Sequence, residues 1–127
     1  MNHITKNRLP ISCLCSIYES TKSDEFSLSI NSILFQSYLP SEIIIMIDGP
    51  INNELRKVLD LFLNEYPDII RSKVLKKNVG LGISLKEGLR LCKNDLIARF
   101  DTDDINLKDR LLEQYKYFKN DSELDIL

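Results

Sequence analysis

Apolar and polar positions change in blocks along this chain, and the blocks predict strands separated by helices. Ile11 to Ile17 reads as a first strand. After the polar loop Tyr18 to Lys22, Ser23 stands as a helix N-cap, with Asp24 and Glu25 favouring the positive end of the helix. Phe26, Ile30, Ile33 and Leu34 then mark one face at helical spacing, and Pro40 is expected to close the element. Ile43 to Ile47 is continuously apolar, as in a strand buried on both faces, and it ends at the turn signal Asp48-Gly49-Pro50. Asn53 is expected to cap a second helix whose Leu55, Val58, Leu59, Phe62 and Leu63 form the core stripe before Pro67. Ile69 to Leu75 is a weaker strand. Beyond Asn78-Val79-Gly80 a third helix runs through Leu85, Leu89 and Cys92. Leu96, Ile97, Ala98 and Phe100 form a fourth strand, and Leu111, Leu112, Tyr115 and Phe118 mark a fourth helix. Leu124 to Leu127 reads as the opening of another strand, so the sequence is expected to stop inside a larger fold.

Strands that alternate with helices predict an α/β fold, with a mostly parallel sheet flanked by helices and right-handed crossovers. No repeat or linker divides the chain, so residues 1–127 are expected to form a single domain, part of a longer protein. A composition 43% hydrophobic and 28% charged suits one soluble domain rather than a disordered or membrane chain. The net charge of -2 leaves no global basic field, which argues against a nucleic-acid partner. No apolar run approaches the roughly 20 residues of a spanning helix, and Met1 to Arg8 is too polar for a signal peptide. Cys13 and Cys15 share one face of the first strand. With Cys92 they make an odd number, with no C-x-x-C pair and a lone His3, which points to buried reduced thiols and a reducing cytoplasm.

The chemistry gathers at strand ends. Asp101, Asp103 and Asp104 follow the fourth strand, and three carboxylates so close repel one another unless solvent, a cation or a metal neutralises them. In open α/β sheets that edge binds ligands, which suggests a divalent cation with a phosphorylated ligand. Asp48 and Tyr18 end the second and first strands. Each has a plainer use as well: helix-start acids for the Asp101 loop, a turn-stabilising side chain for Asp48, an ordinary aromatic for Tyr18. Other motifs fail on detail. A calcium loop starting at Asp101 would meet Ile105, Asn106 and Leu112 where it needs a ligand, a glycine and a glutamate. Gly80-Leu81-Gly82 opens a dinucleotide fingerprint, but Leu85 stands at the third glycine, and no P-loop pattern occurs. An aspartyl phosphatase would carry its D-x-D on the first strand. A sugar nucleotidyltransferase would need a glycine-rich loop after that strand, and Tyr18 to Lys22 contains no glycine.

The segments ISCLCSIYES, SINSILFQSYLPSEIIIMIDGP, NVGLGISLKEGL and LIARFDTDDINLKDRL, in that order, resemble the inverting GT-A-fold family 2 glycosyltransferases, especially the bacterial branch that builds capsules, exopolysaccharides and O-antigens. The likeness covers nearly the whole chain from Ile11, with departures at Ser16, Glu19, Ile47 and Lys86. It implies the Rossmann-like, nucleotide-binding half of such an enzyme. The resemblance implies a nucleotide site formed by Tyr18, Glu19, Asp48, Asn78, Gly80, Arg99, Asp101 and Asp103, with Tyr18 stacked on the base, usually uracil, and Asp48 accepting the base N–H. It implies Mn2+ or Mg2+ held by Asp103, Asp104 and Asp101, a UDP-sugar donor, and a saccharide or lipid-linked acceptor. The general base that activates the acceptor is expected beyond Leu127, as is any part that attaches a cytoplasmic protein to the inner face of the membrane.

Overall fold

The computed structural model describes residues 6–121. Strands and helices alternate strictly: β1 (Arg8–Ile17), α1 (Ser23–Leu34), β2 (Leu39–Asp48), α2 (Asn53–Glu65), β3 (Ile70–Leu75), α3 (Leu81–Leu89), β4 (Leu96–Arg99) and α4 (Arg110–Asn120). The four strands form one parallel sheet in the order β3-β2-β1-β4. The chain first builds outward from β1 through β2 to β3, then crosses back to lay β4 on the other side of β1. That reversal opens a crevice between the C-terminal ends of β1 and β4.

Alternation along the strands divides the core. Cys13, Cys15 and Ile17 of β1 share a face with Ile43, Ile45 and Ile47 of β2, and Phe26 and Ile30 of α1, Leu55 and Leu59 of α2 and Leu111 of α4 pack on it. Phe26 and Phe62 meet edge to face there, with centroids 6.2 Å apart. Leu14, Ile44 and Met46 make the opposite face, against Leu85 of α3. β2 is therefore buried on both sides, and each fully buried isoleucine contributes about 1.5–3 kcal/mol over an exposed one. Helix α3 lies close to the sheet at Gly88, where a Cβ would fall 2.5 Å from Leu14 Cδ1. Burial pushes the Cys13 thiol up to about 12, and the Cys15 thiol is raised by the same cause, so both are unreactive core groups.

Several element ends differ from the pattern-based expectation. The α1 N-cap is Lys22 rather than Ser23, whose hydroxyl instead donates to Glu54 Oε1 at 2.9 Å. Asn52, not Asn53, caps α2, its Oδ1 accepting the Leu55 N–H. Pro40 does not terminate α1, which has already ended at Leu34; it lies at the second position of β2. The missing proline N–H is tolerated there because the β1–β2 register is irregular between Leu9 and Ser12, opposite the start of β2. Helix α3 stops at Leu89, leaving Leu89 exposed and Cys92 in the following turn. β3 is an edge strand, mostly exposed, which accounts for its weak apolar signal. The strand expected at Leu124 to Leu127 lies outside the described residues.

At the end of the sheet remote from the crevice, Glu42 is buried in β2. Its carboxylate accepts the Ser12 hydroxyl at 2.6 Å, the Lys93 N–H at 2.6 Å and an Arg71 guanidinium N–H at 2.7 Å. Asn94 adds two donors to Ser12 Oγ. One carboxylate thus joins β1, β2, β3 and the turn before β4. Burial by itself would raise its pKa, but these donors hold the Glu42 carboxyl below its ordinary value.

Candidate functional site

A cleft of about 620 Å³ opens at the C-terminal ends of β1, β2 and β4. Tyr18, Asp48, Asn78, Gly80, Arg99, Asp101 and Asp103 all line it, although they come from the C-terminal ends of four strands and the loops that follow them. Glu19 and Asp104 do not. Glu19 sits on the exposed turn after β1, where its carbonyl accepts Asn52 Nδ2 at 3.4 Å. Asp104 faces a second, larger groove of about 780 Å³ along Ile105 to Arg110, on the other side of Asp101.

Each wall has a local cause. The turn after β1 is closed by the Thr21 N–H on the Tyr18 carbonyl and by Thr21 Oγ1 accepting the Tyr18 N–H, at 3.1 and 3.0 Å. This buries Thr21 and leaves the Tyr18 ring about half exposed at the cleft. At the end of β2 the buried Asp48 carboxylate receives the Val79 N–H at 2.7 Å, the Gly80 N–H at 3.0 Å and Asn78 Nδ2 at 3.3 Å. Asp48 thereby draws the N-terminus of α3 to the end of β2. Gly49 makes the approach possible: its φ is +86°, and a Cβ there would lie 2.7 Å from the Asn78 nitrogen. Ser16 of β1 and Ser84 of α3 share a hydrogen bond of 2.7 Å beside the same cleft.

The acidic loop is held from below by α1. Ser29 Oγ donates to the Asp101 carbonyl at 2.9 Å, and Ser32 Oγ accepts both the Asn106 N–H and Asn106 Nδ2. The fully buried Gln36 donates through Nε2 to the Leu107 carbonyl and accepts the Leu111 N–H on Oε1 at 3.0 Å. Since Asp109 gives no side-chain cap, Gln36 supplies one from the turn that follows α1. Arg110 completes the frame, donating to Asn106 Oδ1 and to the Arg99 carbonyl. The sequence pattern does not reveal Ser29, Ser32 or Gln36, because polar residues in an amphipathic helix, or just after it, look solvent-facing. The available signal was that Ser29 and Ser32 interleave with the apolar face at Ile30 and Ile33.

One carboxylate oxygen from each of Asp101, Asp103 and Asp104 lies within 4.8 Å of the others, and all three side chains are exposed. A six-coordinate dication with oxygen ligands at about 2.1 Å spaces them by roughly 3 to 4 Å. Rotation of exposed side chains closes that difference, so the hard-oxygen set fits such an ion. Arg99 pairs with Asp101 at 3.3 Å, the one cation directly against the cluster among the described residues. The pair is half exposed and contributes little to stability.

With this geometry in view, the model of Glycosyl transferase family 2 matches residues 17–126. The chain belongs to that family. Its 127 residues are 34% identical over 113 residues to the amylovoran biosynthesis glycosyltransferase AmsE of Erwinia amylovora, covering 89% of this chain and 42% of that protein. They are 38% identical over 102 residues to an Escherichia coli UDP-Gal:alpha-D-GlcNAc-diphosphoundecaprenol beta-1,3-galactosyltransferase, covering 78% of this chain and 35% of that one. The chain thus spans less than half the length of these family 2 relatives. In architecture it is similar to the mannosyltransferase PcManGT of Pyrobaculum calidifontis, solved with GDP-Man and Mn2+, at a TM-score of 0.75 and 16% identity, over 87% of this chain and 32% of that one. The parallel sheet flanked by helices is the GT-A arrangement of such glycosyltransferases.

Proposed function

We propose that this chain is the donor-binding part of a metal-dependent glycosyltransferase that moves a sugar, with inversion, from a UDP-sugar to a saccharide or lipid-linked acceptor in surface-polysaccharide synthesis. The observation that carries the reading is the meeting of Tyr18, Asp48, Arg99, Asp101 and Asp103 in one cleft at the topological switch point. The names of the bacterial relatives support the pathway, and the galactosyltransferase supports UDP as the carrier.

In this reading the Tyr18 ring packs on the uracil face. Asp48 has about four lone-pair sites, and three donors occupy it, which leaves room for one base N–H. Asn78 and Gly80 form the wall that Asp48 holds in place. Asp101 and Asp103, with Asp104 from the far side, would hold Mn2+ or Mg2+. When bound, that ion supplies Lewis-acid stabilisation to charge developing on the departing diphosphate. Arg99 limits repulsion among the carboxylates while the cleft is open to solvent.

Thermal shift tests the reading. UDP at about 100 times its dissociation constant should add about 2.7 kcal/mol of stability, and the gain should need Mn2+ or Mg2+ and vanish with chelator. No response to any nucleoside diphosphate, with or without metal, would leave a fold that has lost its ligand.

A further inference from the structure

We infer that β3 and the outer side of α3 form a docking surface for an anionic bilayer, separate from the nucleotide cleft. Residues 71–93 carry seven basic side chains and one acid, Glu87, whereas the rest of the chain has ten basic and eighteen acidic residues. The fold brings this asymmetry onto one side. Arg71 and Lys73 stand opposite Ile44 and Met46 in the β2–β3 register, on the face of the sheet that α3 covers. They therefore flank α3. Arg71 reaches the turn after the helix, donating to the Leu91 carbonyl at 3.1 Å. On α3 itself Ser84 and Gly88 face the sheet, so Ile83, Lys86 and Arg90 form the ridge directed away from it, all exposed. Among the described residues no ion pair neutralises Lys73, Lys76, Lys77, Lys86 or Lys93, while Arg90 is paired only with Glu87 at 3.1 Å and Arg71 with Glu42.

The basic residues are interleaved with apolar ones that find little cover among the described residues. Ile83, Leu89 and Leu91 are 55%, 51% and 36% exposed. That mixture decides the occupant. A soluble polyanion rewards the charges and gains nothing from Ile83 or Leu89, whereas an anionic membrane interface rewards both, taking apolar side chains among headgroups that the lysines neutralise. β3 is the open edge of the sheet, so β3 and α3 can lie against a surface together. A cleft opening at the strand ends stays accessible beside such a surface, which suits acceptors carried on lipid. No helix of the described residues is long and apolar enough to cross a membrane, so the contact is peripheral.

Co-sedimentation of the purified chain with vesicles tests this. Phosphatidylcholine vesicles containing phosphatidylglycerol should pull the protein down at low salt, vesicles of phosphatidylcholine alone should not, and added salt should weaken the binding. The triple substitution K73E/K86E/R90E should lower partitioning by about a hundredfold or more, since each lysine or arginine near an anionic surface contributes on the order of 1 kcal/mol. Ile83→Ser with Leu89→Ser, at unchanged charge, should lower it several-fold. Circular dichroism and the UDP thermal shift should be unaltered in both variants, which keeps this test independent of the donor-site reading. Equal binding to neutral vesicles, no binding to anionic ones, or full binding by the charge-reversed protein would overturn the inference. Unchanged binding by the serine variant would overturn it too, assigning the patch to a soluble polyanion.

Discussion

Ser29 on α1 donates its hydroxyl to the main-chain carbonyl of Asp101, 2.9 Å away, so the first acid of the acidic loop is held by a helix residue seventy-two positions earlier in the chain. Gln36, two residues beyond the end of α1, does the same for the far side of the loop through Leu107 and Leu111. Ser29→Ala should leave the fold intact but loosen the loop, with manganese affinity falling several-fold in calorimetry. Gln36→Ala should cost about 2 to 4 kcal/mol in urea denaturation, because it strips partners from the Leu107 carbonyl and the Leu111 N–H in a buried setting. Equal manganese affinity in the Ser29→Ala and parent proteins would remove α1 from any account of the site.

The acidic loop itself should carry metal dependence. Asp103→Asn preserves size and removes charge at an exposed position, so thermal stability without ligand should be unchanged. Calorimetry should then show UDP binding that no longer responds to Mn2+. Persistence of the manganese effect would move the metal elsewhere.

Tyr18 offers a test of base stacking. Tyr18→Ala should weaken UDP by about 1 to 3 kcal/mol, and Tyr18→Phe should restore most of it, since the ring rather than the hydroxyl makes the contact. Normal UDP affinity in the alanine variant would reduce Tyr18 to a turn residue.

Two glycines at positive φ should respond differently to alanine. Gly49 at +86° has the Asn78 backbone 2.7 Å from its virtual Cβ, whereas Gly80 at +92° has open space around it. Gly80→Ala should cost about 1 to 3 kcal/mol from backbone strain alone, since φ +92° with ψ 157° is a conformation essentially reserved for glycine. Gly49→Ala should cost more, because strain and collision add, and it should also weaken UDP binding by displacing the segment that Asp48 holds. Equal denaturation midpoints for the two variants would contradict the close approach.

Glu42 predicts a pH dependence. Its folded carboxyl lies below the ordinary value near 4.5, so the unfolded chain binds the proton first as pH falls. The stabilisation is therefore complete above that value and is lost as pH drops through the depressed folded value. Urea midpoints measured from neutral pH downward should fall less steeply below about pH 4.5 in Glu42→Gln than in the parent, although the variant is less stable at neutral pH. Parallel curves would show that Glu42 is not the titrating group.

Whatever rests on periodicity and local chemistry is legible along the chain. Ile43 to Ile47 reads as a strand covered on both faces, the stripe from Leu55 to Leu63 as one face of a helix, and Asp101, Asp103 and Asp104 follow directly on the apolar run of β4. Element ends were less legible, as at Lys22, Asn52 and Pro40, because neighbouring polar residues compete for a cap and a proline near a strand start is as acceptable as one after a helix. Three-dimensional packing settles which strand neighbours which, and hence that Tyr18 lines one crevice and Asp104 the adjoining groove while Asp101 borders both. It alone revealed that Ser29, Ser32 and Gln36 frame the acidic loop and that Glu42 binds Ser12, Arg71 and Lys93 into one buried cluster. Such contacts join residues twenty-nine to seventy-five positions apart. A hydroxyl or amide carries no mark of its distant partner; the pairing exists only after hydrophobic burial has brought the two segments together and left each polar group no water to turn to.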